Sequence, residues 1–188
     1  MKPLPPPGRW PWPVHWLLAW AVAATVALAA AAAVVELGLY DVRATTPHDP
    51  ALAWTIHSAM IHSVRLRAGH SSFGPVDPEE AAEGFRVYDA HCALCHGGPS
   101  VDRADWVSGM TPTPPYLLDA SRRWTPAQLH FIISGGVKMT SMPAWRSTLS
   151  DRQIWSLVSF LEVLPYISGD RYQRMQAAVA LPTLARRR

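Results

Sequence analysis

From Trp16 to Val35 the chain runs through twenty residues that carry no charge and one polar side chain, Thr25. At about 1.5 Å of rise per residue, such a run matches the roughly 30 Å hydrocarbon thickness of a bilayer. No water is available at that depth to pair with backbone N–H and C=O groups, so a segment placed there is restricted to a helix. Trp10, Trp12, Trp16 and Trp20 gather at one end and Tyr40 sits at the other, where amphipathic rings favour the headgroup zones. The sequence therefore predicts a transmembrane helix within residues 16–40. A cleaved signal peptide is the rival reading, because Ala27-Leu28-Ala29 has the small-residue pattern of a cleavage site. Against it, the leader is long and the apolar run exceeds the roughly 7–15 residues of a signal core.

Before this run, Pro3, Pro5, Pro6, Pro7, Pro11 and Pro13 deny the backbone helical hydrogen bonds and predict an extended leader over residues 1–15. After it the chain is the size of one small domain, and its punctuation is helical, with no convincing strand. Asp49 and Pro50 open a helix running to about Ala68, with Leu52, Ile56, Met60 and Val64 at every fourth position. This is an amphipathic connector, residues 41–76, expected to lie near the membrane surface or against a partner. Ser71-Ser72-Phe73-Gly74-Pro75 then marks a domain boundary.

A domain over residues 77–165 follows. Asp77 and Glu80 form a capping-box-like start with Pro78 in the first turn, placing Ala81, Phe85, Tyr88 and Cys92 on one face. Thr125-Pro126 starts a second helix that stops at Gly135-Gly136, and Ser150 with Gln153 starts a third that stops before Pro165. The tail, residues 166–188, is basic at its end and predicts a short helix around Gln173 to Ala180. From Asp77 to Leu164 ten acids face seven bases, a balance of −3, which leaves the flanks at +6 of the total +3. Lys2, Arg65, Arg67 and Arg186-Arg187-Arg188 suit an anionic lipid surface better than nucleic acid, since no aromatic-interleaved basic face is present. Solvated chain ends are the bland alternative.

The only two cysteines stand in Cys92-Ala93-Leu94-Cys95-His96. Two thiols at this spacing can add to the vinyl groups of one macrocycle while the adjacent imidazole binds its iron, so C-x-x-C-H reads as covalent haem attachment. A thioredoxin-like pair would need a βαβ context, and a zinc site would need more cysteine or histidine ligands. His96 fills one axial position. For the other the choice is Met142, which follows the Gly135-Gly136 stop and precedes Pro143, so that it lies on a stiffened loop. A thioether there raises the potential relative to bis-imidazole ligation and leaves no open site. Packing alone is the other reading of Met142. His15, His48, His57, His62, His70, His91 and His130 are read as exposed or interfacial, and Trp145 and Trp155 as core or pocket walls.

His96, Pro114-Pro115, the stretch Gly136-Val137-Lys138-Met139-Thr140-Ser141-Met142-Pro143-Ala144-Trp145, and the run from Ser150 to Pro165 together resemble the class I c-type cytochrome domain. The resemblance covers roughly Asp77 to Leu164, and the whole layout is similar to membrane-anchored bacterial monohaem cytochromes. It implies an all-α, cytochrome c-like haem domain behind a transmembrane helix and an amphipathic connecting helix. It also implies that Met142 and not Met139 is the sixth ligand, and that Pro114 or Pro115 orients His96 through a carbonyl. Gly84 to Tyr88 would form the crossing of the first and last helices, with Phe160 and Leu161 as partners.

The function implied is one-electron transfer by a single covalently bound haem c, with His96 and Met142 on the iron. Haem attachment is normally completed outside the cytoplasmic membrane, which puts the N-terminus in the cytoplasm and the haem domain in the periplasm of a single-pass bacterial inner-membrane protein. The expected partners are membrane lipid and either redox subunits of a respiratory or other membrane complex or separate donor and acceptor proteins. Neither nucleic acid nor a small-molecule substrate is expected. The expectation is thus an electron-transfer protein and not an enzyme in itself, as a subunit of an oxidoreductase complex. A solitary tethered shuttle is one alternative; a haem-based peroxidase or gas sensor is another, but it would need a distal acid or base, and none stands out.

Overall fold

The computed structural model describes residues 12–70 and 73–185. The leader up to Pro11, with Trp10, lies outside the described residues, as do Ser71, Ser72 and the Arg186-Arg187-Arg188 end. The chain divides into two compact units, Met1–Thr46 and Pro47–Arg188. Among the described residues the only extended pairing is an isolated bridge between Gly98 and Val101, so the protein is all-α.

The first unit is built on α1 (Trp12–Glu36). Val14–Glu36 is long and apolar enough to cross a membrane, a test that a signal sequence also passes. Its side chains face outward along the whole length, with Trp16, Leu17, Trp20, Val22 and Leu28 exposed. Thr25, the lone polar interruption, donates its hydroxyl to the Ala21 carbonyl at 2.9 Å and so presents no unpaired donor. Gly38, at φ +65°, ends the helix: Leu39 N–H reaches the Val34 carbonyl at 3.0 Å and Gly38 N–H reaches Val35 at 3.2 Å. That paired closure takes up carbonyls the helix would otherwise leave bare, and it needs a left-handed residue.

The second unit contains α2 (Pro50–Arg67), α3 (Pro78–His91), α4 (Ala93–His96), α5 (Ala120–Arg123), α6 (Pro126–Gly135), α7 (Asp151–Val163) and α8 (Gly169–Ala185). Asp49 caps α2 through Ala51 N–H, and the full capping boxes Thr125–Gln128 and Ser150–Gln153 open α6 and α7. Asp77 caps α3 through Glu79 N–H. The reciprocal half of the predicted box at α3 does not form, because the Glu80 carboxylate accepts from the Ser159 hydroxyl at 3.2 Å on α7. A tertiary hydrogen bond has outcompeted a local one.

The core is the crossing of α3 and α7. Phe85 and Tyr88 meet Phe160 with ring centroids 5.5 and 5.1 Å apart, and Ile154, Leu157, Val158 and Leu161 are buried beside them. Each such side chain contributes about 1.5–3 kcal/mol by leaving water. Three of the four residues of the predicted every-fourth stripe pack, Val64 buried and Ile56 and Met60 half-buried where α2 meets α6, whereas Leu52, near the start of the helix, is exposed.

Beyond Pro165 the helix is longer than the sequence suggests, beginning at Gly169. The reason is Tyr172, wholly buried edge-on against Phe85 at 5.5 Å. Its ring fills the space that a side chain at Gly98 would need, and Gly169 abuts Ser100. Gln176 donates to Asp89 at 2.8 Å. These contacts fasten α8 to the end of α3.

Candidate haem-binding site

Cys92 is at once the last residue capping α3 and the first capping α4. Cys95 and His96 N–H both reach the Cys92 carbonyl, at 3.1 and 2.9 Å, and Gly97 N–H reaches Ala93 at 2.8 Å. One tight turn thus sets the two cysteines three residues apart on neighbouring helical positions. It stops at Gly97, where φ is +65° and an added Cβ would lie 2.8 Å from both the Tyr116 ring and the Val101 carbonyl. Below the turn the buried Tyr88 hydroxyl donates to the Gly97 carbonyl at 2.8 Å, tying the motif to the α3–α7 crossing. Both thiols are free and half-buried. Burial pushes the Cys92 thiol up to about 12, with neighbouring Cys95 adding to the effect. It is a neutral thiol at physiological pH, not a redox-tuned thiolate.

The His96 ring is anchored from the far side. Its Nδ1 lies 2.7 Å from the Pro115 carbonyl. A carbonyl only accepts, so Nδ1 carries the proton and Nε2 keeps a free lone pair. Burial lowers the basicity of the imidazole, and the Arg103 charge lowers it further against the opposing pull of the Pro115 bond. Both effects favour the neutral, metal-binding form.

The sequence left Pro114 and Pro115 open, and in the structure the two carbonyls face different groups. Pro115 meets His96, while the Pro114 carbonyl accepts from the Arg103 guanidinium. Arg103 also lies 4.5 Å over the Tyr116 ring. Sequence reasoning missed Arg103 and Tyr88 as supports of this loop. Arg103 gives no local signal, since its partner is eleven residues on.

Met142 sits on a loop folded back on itself. Val137 N–H reaches the Met142 carbonyl at 3.2 Å, Thr140 Oγ1 donates to Val137 O at 2.7 Å, and Met142 N–H donates to Thr140 Oγ1 at 3.1 Å. At the loop entrance Gly136 has φ +65°, and a Cβ there would lie 2.6 Å from the Pro143 carbonyl carbon. Met142 is half-buried against the core, whereas Met139 is 80% exposed. Trp145, three residues on, lies 5.2 Å from the His91 ring beside Cys92. The fold therefore brings the methionine loop to the end of α3 that carries the cysteines.

Other histidines have partners of their own. His130 stacks on Trp155 at 4.3 Å and reaches Asp151 Oδ1 at 2.8 Å, and Phe73 covers Trp155. Among the described residues no group of three or more His, Cys, Asp or Glu side chains gathers to hold a metal ion. The donor set at the motif is two thiols one turn apart, an imidazole with one nitrogen already committed, and a thioether on a braced loop. It fits a haem c.

Comparison with known proteins agrees. Residues 79–161 match the family described as "Cytochrome C oxidase, cbb3-type, subunit III". The chain is also similar to a quinohemoprotein alcohol dehydrogenase from Comamonas testosteroni, at 31% identity over 132 residues. That match takes in 66% of this chain and 18% of the relative.

Proposed function

We propose that this chain, a c-type cytochrome over residues 79–161, carries one electron at a time outside a bacterial cytoplasmic membrane to which α1 anchors it. The observation that carries the reading is the 2.7 Å contact of His96 Nδ1 with Pro115 O, which leaves Nε2 free beside two thiols. Cys92 and Cys95 would hold one haem through thioether bonds, and His96 Nε2 and Met142 Sδ would ligate its iron. The bound iron supplies the chemistry, a change between ferrous and ferric states. The residues do the rest: the Pro115 carbonyl keeps the imidazole oriented, the hydrogen-bonded Val137–Met142 loop limits its own movement, and the packed core restricts water. Ligands that stay put through a redox change keep reorganisation small. With His96 and Met142 both committed to the iron, the site would leave no open position for a small-molecule substrate.

The covalent link has a direct test. Denatured, acid-extracted protein is expected to keep its haem colour, and Cys92→Ala/Cys95→Ala protein is expected to lose it under the same extraction. A colourless wild-type extract containing an intact Cys92–Cys95 disulfide would refute the reading.

We further place the chain as a subunit of a larger membrane redox complex. The matching family is described as an oxidase subunit, and the similar relative is by name a dehydrogenase. Ten of the twenty residues from Trp16 to Val35 are alanine, which gains less on insertion than leucine or phenylalanine. Ala19, Ala23, Ala27 and Ala31 form a smooth stripe at every fourth position, where another membrane helix can approach closely. Ala23→Leu/Ala27→Leu is expected to insert more strongly yet lose co-purifying membrane subunits. If association is unchanged, or wild type migrates alone in native gels, the tethered shuttle is the better account.

A further inference from the structure

We propose that the face of α2 turned away from α6 lies on the anionic headgroup surface of the membrane. The inference rests on the anchoring reading of α1 and adds a second, peripheral contact to it. α2 buries Val64 and half-buries Ile56, Met60 and Ile61, so its inward stripe is satisfied. Yet Leu66 is 79% exposed, Trp54 70% and Leu52 37%. Single exposed apolar side chains are ordinary; three large ones spread over the outward half of one helix are not. With about 100° between successive residues, Leu52, Ala59 and Leu66 fall within about 40° of one another, and Trp54, next to Arg65 around the helix, stands about 120° from Leu66 at the other edge of the outward half.

The charge on this face has one sign. From Pro50 to Val76 there is no aspartate or glutamate, and within α2 Arg65 falls on the outward half, about 100° from Leu66, with Arg67 at the helix end. Among the described residues neither Arg65 nor Arg67 is paired with a carboxylate; Arg67 donates to Ser63 Oγ at 3.0 Å. Tryptophan and leucine beside unpaired arginines, without a single acid, is the chemistry of a helix seated between headgroups and acyl chains. Anionic lipid also complements the arginines directly. An anchored chain carries this surface with it: only residues 37–49 separate α1 from α2, a reach of at most about 45 Å. A tether of that length holds the local concentration high, so a weak interfacial affinity suffices.

The test uses the full chain in nanodiscs of phosphatidylcholine, with or without phosphatidylglycerol. A photo-crosslinking amino acid is placed in separate preparations at Leu66, at Trp54, at Leu28 in α1, and at exposed Ala178 in α8 as background. Haem absorbance and helical circular dichroism confirm folding, and two α2 positions guard against failure of one. Leu66 and Trp54 are expected to yield lipid adducts well above Ala178. These adducts should rise with phosphatidylglycerol and fall several-fold in Arg65→Glu protein. Adducts at Leu28 with only background at both α2 positions would overturn this inference and leave the anchor standing. No adduct at Leu28 would remove the anchor and this inference with it. In native membranes, capture of a protein instead of lipid at Leu66 would also overturn it, assigning the face to a protein partner.

Discussion

Met142→Ala is expected to lower the reduction potential by on the order of a hundred millivolts, a modest part of the roughly 0.8 V that axial ligation commands, and to abolish the methionine–iron charge-transfer band. Met139→Ala is expected to do neither. The two residues are three apart and chemically identical, so sequence position alone separates them poorly. The structure separates them by environment. Met139 has a positive φ of 59° and points its side chain into solvent, 80% exposed. Met142 is half-buried against the core and has both its N–H and its carbonyl committed inside the loop. Without the Met142 thioether the bound iron would lose the soft ligand that favours its ferrous state. Redox titration with near-infrared or long-wavelength absorption reads both effects. If Met139→Ala loses the band and Met142→Ala keeps it, the ligand assignment is wrong.

How much of this was legible beforehand depends on the range of the interaction concerned. Local devices were readable: the Asp49 cap, the Thr125–Gln128 and Ser150–Gln153 boxes, and the stop at Gly136 each involve residues within four positions. The C-x-x-C-H motif was readable for the same reason, since one turn of helix sets the geometry of both thiols. What failed was the half of the α3 cap that Glu80 was to supply, because Ser159, on another helix, bonds that carboxylate instead. The extent of α8 was hidden likewise. Nothing near Tyr172 in sequence announces that its ring will be buried against Phe85 and seated where Gly98 leaves room. Arg103 and the division of labour between Pro114 and Pro115 belong to the same class, as they depend on how a long loop closes over the histidine.

Gly84→Ala is expected to destabilise the protein by on the order of 3 kcal/mol, at the upper end of what overpacking costs. Two effects oppose each other at this position. Alanine gains about 1 kcal/mol over glycine in a helix interior, which would stabilise α3 in isolation. Against that, a Cβ at residue 84 would lie 1.9 Å from the Ser156 carbonyl oxygen, 2.5 Å from its carbon and 2.8 Å from Phe160 Cβ. The obstacle is the backbone of α7 in mid-helix, which has no rotamer to change, so the two helices must separate. A gap of 0.5–1 Å already forfeits a quarter to a half of each dispersion contact, and the contacts at stake are those of Phe85 and Tyr88 on Phe160. The clash therefore outweighs the propensity gain. Because α3 ends at Cys92 and Tyr88 holds the Gly97 carbonyl, a displaced α3 should also lower the yield of haem-loaded protein. Gly135→Ala is the matched control: it stands in the last turn of α6 with nothing within 4 Å of its would-be Cβ, and it should be neutral or slightly stabilising. Thermal denaturation of both variants in detergent, followed by haem absorbance, decides the matter. A Gly84→Ala midpoint equal to that of Gly135→Ala would mean that α3 and α7 do not cross at this glycine.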